Sequence, residues 1–140
     1  MYLTYEEYHQ MGGTLSQSDF DFYGYEVESI IDWYTFNRLK GNTVIPQEVK
    51  DCEFYLIMLA QARLNALGVS IDSTSGTSYS EAVLTGQSND GVSVQYNYLP
   101  ASTAIQSLKD EMGDVIKRRL QGVVNELGRK LLYRGLYPNE

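Results

Sequence analysis

The chain holds one histidine and one cysteine, His9 and Cys52, so acid–base or nucleophilic chemistry has few residues to draw on. His9 lies in a short helical stretch with no serine, cysteine or aspartate placed around it as a nucleophile motif, and a surface role is expected. Cys52 cannot form an intrachain disulfide, and its apolar helical setting makes it a small buried hydrophobe. The sequence contains no G-x-x-x-x-G-K-S/T loop, no G-x-G-x-x-G turn and no Cys/His cluster, which removes the common phosphate, dinucleotide and zinc signatures. Gln87-Ser-Asn-Asp-Gly91 has the residue types of a calcium loop but lacks its carboxylate spacing and terminal glutamate. No catalytic residue, cofactor or metal ligand is expected.

The charged residues suggest contacts instead. The net charge is -7, which argues against a protein that grips nucleic acid over its whole surface. Residues 1–100 hold four of the 11 basic and 13 of the 18 acidic residues, giving an acidic body with a mildly basic tail. Lys117-Arg118-Arg119 is no patch by itself, because consecutive helical residues point about 100° apart. Continued helix would align Arg118 with Arg129 and Arg119 with Lys130, 11 positions on, as two basic rows. Such rows are either a solvated face or a docking edge for an acidic neighbour, such as the second helix of an adjacent copy. That helix carries Asp19, Asp21, Glu26, Glu28 and Asp32 with no Lys or Arg before Arg38, an uncompensated acidic strip. The 12 tyrosines suit core packing and also interfaces, where they bring large area with a polar handle.

The elements that position these residues are mainly helical. Thr4 and Glu7 have capping-box spacing, with Leu3 and Tyr8 as a hydrophobic staple, and this first helix stops at Gly12-Gly13. A second starts at Ser16 or Ser18, carries Phe20, Tyr23, Val27, Ile30 and Tyr34 at helical spacing, and fades at Phe36-Asn37. A third runs from Pro46 to Gly68 and, with Phe54–Ala60 apolar nearly all round, is the central core helix. Residues 69–99 follow as a Ser/Thr/Gly-rich loop too polar to pack, disordered or ordered by a partner. It ends in Val92–Tyr98, whose strict alternation is that of a half-buried strand, with Val92, Val94, Tyr96 and Tyr98 on one face. Without a partner in the chain, that strand is expected to pair between subunits.

A long last helix is expected within residues 100–136, from Thr103 to Arg134, about 48 Å long. Its apolar stripe runs from Leu108 to Leu131, and Gly113, Gly122 and Gly128 mark a bend or a close helix contact. Its end would project with Leu131, Leu132, Tyr133, Leu136 and Tyr137 exposed, making Arg118, Arg129, Lys130, Leu132, Tyr133, Arg134, Leu136 and Tyr137 candidate docking residues. Truncation after Lys130 is expected to spare the fold. The fold class is all-α: one domain over residues 1–140, with a helical core at 1–68, loop and strand at 69–99, and the long helix at 100–136. No apolar run is long enough to span a bilayer, and the acidic N-terminal stretch does not read as a signal peptide.

Tyr2-Leu-Thr-Tyr-Glu-Glu-Tyr8, Gly12-Gly-Thr14, Ile31-Asp-Trp-Tyr-Thr-Phe-Asn-Arg38, Pro46-Gln-Glu-Val-Lys50, Asp90-Gly-Val-Ser-Val-Gln-Tyr96 and Leu132-Tyr-Arg-Gly-Leu136 together resemble the head-tail connector proteins of tailed bacteriophages. The resemblance covers nearly the whole chain in order, and none of its pieces is a catalytic motif. It implies a small helical adaptor, or head-completion protein, at the head-tail junction of the virion and in the host cytoplasm during assembly. Such an adaptor forms a ring, usually of 12 copies, beneath the portal protein. The ring extends the DNA channel and carries the stopper or tail-completion protein. DNA would pass without specific binding, along a channel for which Asp19, Asp21, Glu26, Glu28 and Asp32 are the acidic candidates. The alternatives are a DNA-binding packaging or regulatory factor using the basic last helix, then a dimeric scaffold of another assembly, and last an enzyme.

Overall fold

The computed structural model describes the backbone of residues 1–66, 70–72, 76–78, 82–84 and 98–140, and the side chains of residues 1–65 and 103–140. The described chain is helical, with α1 (Tyr5–Gln10), α2 (Gln17–Tyr34), α3 (Gln47–Ala66) and α4 (Ala101–Arg119). Four three-residue strands, β1 (Ser70–Asp72), β2 (Gly76–Ser78), β3 (Ala82–Leu84) and β4 (Tyr98–Pro100), complete it. Contacts divide the chain into two compact units, one of residues 1–59 and 112–140 and one of residues 60–111.

In the first unit the local signals act as their chemistry dictates. Thr4 caps α1 in a reciprocal capping box with Glu7, and the staple residues Leu3 and Tyr8 are fully buried. Gly12 ends α1 at φ 97°, a left-handed conformation that costs a residue without Cβ nothing. Ser16 caps α2 by accepting the Asp19 N–H. The Pro46 carbonyl accepts the first bond of α3 from Val49, so α3 opens one residue after the expected proline. Phe20, Val27, Ile31, Leu39, Val49, Leu56, Ile57, Ile116 and Leu120 build the core, with Cys52 buried among the α3 residues. Burial pushes the Cys52 thiol up to about 12, which leaves it inert. His9 is exposed, its Nε2 2.8 Å from the Tyr5 hydroxyl.

In the second unit, β1 pairs antiparallel with β2, Ile71 opposite Thr77, and β3 with β4, Leu84 opposite Tyr98. Of the expected strand Val92–Tyr98 only Tyr98 is described, and it lies in β4 opposite Leu84 of the same chain. Val92, Val94 and Tyr96 lie outside the described residues, as does Gly68 at the expected end of the third helix. Arg63 and Glu111 form an ion pair at 2.9 Å.

The long last helix is the main correction. α4 stops at Arg119, and Gly122 turns left-handed at φ 83°. Asn125 then replaces the helical pattern: its Oδ1 accepts the Leu127 and Arg129 N–H groups, and its Nδ2 donates to the Arg38 carbonyl at 3.2 Å. The Leu131 N–H donates to the Val123 carbonyl at 3.0 Å and Val124 bridges Lys130, so residues 123–131 double back around Gly128, at φ 73°. Leu127 is left exposed, while Leu131 is fully buried. The two basic rows do not form, because Arg129 and Lys130 are not on the helix that carries Arg118 and Arg119. Gly113 does mark a close helix contact, since a Cβ there would lie 2.0 Å from the Tyr34 hydroxyl of α2. Among the described residues no helix is long and apolar enough to cross a membrane.

Candidate interaction surface

α2 is apolar on two sides. One buries Phe20, Tyr23, Val27 and Ile31; the other leaves Phe22, Tyr25 and Trp33 facing solvent, with Tyr25 and Trp33 exposed by 73% and 72%. Beyond its C-terminus, Phe36 and Asn37 both adopt left-handed backbone, at φ 54° and 58°. Two consecutive non-glycine residues in that region are uncommon and are held by their surroundings. Here the turn leaves Phe36 half exposed and sends Arg38 inward.

Arg38 is the anchor of this turn. Its guanidinium donates to the carbonyls of Lys130, Leu131, Tyr133 and Gly135 and to the Glu140 carboxylate. It also lies against the rings of Phe36 and Tyr137, each centroid 5.1 Å away. A planar fork of five donors suits such a set of acceptors. The C-terminal segment is thereby wrapped onto the end of α2.

Trp33 stands between two grooves. One, of about 390 Å³, is lined by Tyr25, Glu28, Ser29, Asp32, Asn37 and Lys40 as well as Trp33. Its charges are matched: Asp32 takes the Tyr2 hydroxyl and lies 3.4 Å from Lys40, and Glu28 lies 2.9 Å from the Met1 ammonium. The acidic strip is therefore compensated at these two positions, Asp32 being buried. Asp19 takes the Ser16 hydroxyl at the helix cap, which leaves Asp21 and Glu26 exposed and without an ion pair among the described residues.

The other groove, of about 680 Å³, is lined by Trp33, Tyr34, Phe36, Asn37, Lys117, Leu132 and Arg134. Aromatic rings and a leucine make its walls and two cations its edge, with no carboxylate in the lining. Lys117 is held over the Tyr34 ring at 5.7 Å. This is the chemistry of docking an apolar, negatively charged segment.

The expected docking residues are thus divided. Leu132 and Arg134 line this groove; Tyr133 and Tyr137 pack together at 5.1 Å beside Arg38, and Arg129 lies over Tyr137. Lys130 donates its N–H to the Tyr137 hydroxyl, Leu136 is 84% exposed, and Arg118 is exposed at the end of α4. Sequence reasoning missed Trp33, Phe36 and Lys117 as one surface. The available signal was an excess of aromatic residues on α2 away from its core face.

Comparison with protein-family models, with curated proteins and with solved structures finds no match to this chain.

Proposed function

We propose that this chain is a non-enzymatic structural adaptor that assembles with copies of itself into a ring at the head-tail junction of a tailed phage. In this reading the ring sits beneath the portal, extends the DNA channel and carries the stopper or tail-completion protein; the resemblance puts it at 12 copies. The observation that carries the reading is the aromatic groove at Trp33, with its cationic edge and a ridge residue 72% exposed. An apolar surface rimmed by charge marks an interaction site. The resemblance supplies the identity of the assembly, and its Ile31–Arg38 and Leu132–Leu136 segments are the two that meet in this groove.

The alternative of a DNA-binding factor loses its main support. Arg129 and Lys130 lie beyond the end of α4, so its basic residues do not continue into the two aligned rows on which that reading relied. Native mass spectrometry over a concentration series, with electron microscopy of the protein alone and with a portal ring, tests the proposal. Rings or portal-bound rings are expected. A strictly monomeric species that binds no portal ring contradicts it.

A further inference from the structure

The groove at Trp33 has a positive edge, and the opposite end of the same helix carries a matching negative, aromatic projection. Phe22, Tyr25 and Glu26 lie at i, i+3 and i+4 on α2 and so share one face, with Asp21 beside them. Phe22 and Tyr25 are 45% and 73% exposed. Asp21 and Glu26 have no ion pair among the described residues. In the groove, Arg134 has none either, and Lys117 has only Asp114 at 3.9 Å, both side chains being more than half exposed. The aromatic projection would fill the groove, and its two carboxylates would meet two cations.

We infer that successive copies join by seating the Phe22–Tyr25 turn of one α2, flanked by Asp21 and Glu26, in the Trp33, Lys117 and Arg134 groove of the next. This deepens, and rests on, the reading of the chain as a self-assembling adaptor. Phe22 and Trp33 are 11 residues apart, about 16 Å along the helix axis. Projection and groove are therefore two different patches on one copy; antiparallel packing of two α2 helices would use both at once and close a dimer, whereas the one-way contact inferred here is heterologous. Such a contact propagates from copy to copy and closes into a ring if the rotation permits. A twofold contact of Trp33 on Trp33 would instead bring Lys117 and Arg134 against their own counterparts, a juxtaposition of like charges that opposes association.

The test is charge reversal with complementation. One variant carries Lys117→Glu and Arg134→Glu, the other Asp21→Lys and Glu26→Lys; all four sites are exposed, and circular dichroism checks that each variant keeps its helices. Alone, each variant opposes like charges at every contact, and its self-association should weaken about tenfold or more. Mixed in equal amounts, the two should recover association by alternating, because every contact then pairs opposite charges. Unchanged assembly of the separate variants overturns this contact while leaving self-assembly standing. Weakened variants that mixing fails to restore overturn the pairing of these two patches. A parent chain that is monomeric at every concentration and on a portal ring overturns both readings.

Discussion

The guanidinium of Arg38 lies 2.7 Å from the carboxylate of Glu140, 102 positions further along the chain. Between them the same side chain holds four carbonyls of residues 130–135. A single residue, four positions past the end of α2, thus organises the C-terminal segment. The Arg38 side chain is 3% exposed, so truncating it strands the buried Leu131 carbonyl and leaves the partly buried carbonyls of Lys130, Tyr133 and Gly135 without their donor. Arg38→Ala is expected to cost about 1–3 kcal/mol in urea denaturation, the usual range for an unsatisfied buried acceptor, and to open residues 120–140 to trypsin. Arg38→Lys keeps the charge without the fork and should recover only part of that loss. Unchanged stability and protease resistance in Arg38→Ala contradict the assignment.

Glu53 gives the first unit a pH dependence. It is fully buried on α3, one carboxylate oxygen taking the Leu3 N–H at 2.8 Å and the other without a partner among the described residues. Burial raises its carboxyl from 4.5 to about 8. A group with a higher pKa folded than unfolded stabilises the fold fully below the unfolded value, and that contribution falls as pH rises toward the folded one. The decline between pH 4.5 and 8 is expected to be roughly 3–5 kcal/mol, at about 1.4 kcal/mol per unit. Glu53→Gln should flatten it. Denaturation at pH 5 and pH 8 checks both chains, and equal stability of the parent at the two values contradicts the prediction.

Leu131 weighs against the expectation that truncation after Lys130 spares the fold. It is fully buried, and its carbonyl is one of the Arg38 acceptors. Leu131→Ala is expected to cost about 2–5 kcal/mol, the usual range for emptying a leucine site, and truncation after Lys130 should cost more. Leu136, 84% exposed, should tolerate alanine within about 0.5 kcal/mol. Thermal unfolding of the three variants checks this order, and a truncated chain as stable as the parent reverses it.

The helix starts were legible because capping is local. Thr4 with Glu7, and Ser16 with Asp19, satisfy backbone groups within three residues. The end of α4 was not. Leu120, Val123, Leu127 and Leu131 keep a spacing that helix would use, yet the backbone leaves helix at Gly122, and Asn125 takes over its hydrogen bonds. The non-helical path is held by Arg38, whose carbonyl accepts from Asn125 87 positions away, and periodicity carries no information about such a partner. The site suffered likewise. Leu132 and Arg134 were identified as a sticky end, whereas Trp33 and Lys117, which share their groove, come from two other parts of the chain.

Trp33 is the only tryptophan in the chain and is 72% exposed. Its fluorescence therefore reports on the proposed contact without a label. The most direct test is its emission maximum across a dilution series, with the mass of the species measured at each concentration. The account predicts emission typical of a solvated indole for the dilute protein, moving to shorter wavelength in step with the appearance of oligomers. Oligomers whose tryptophan emission stays at that of the dilute chain, or a chain that never associates, would contradict it.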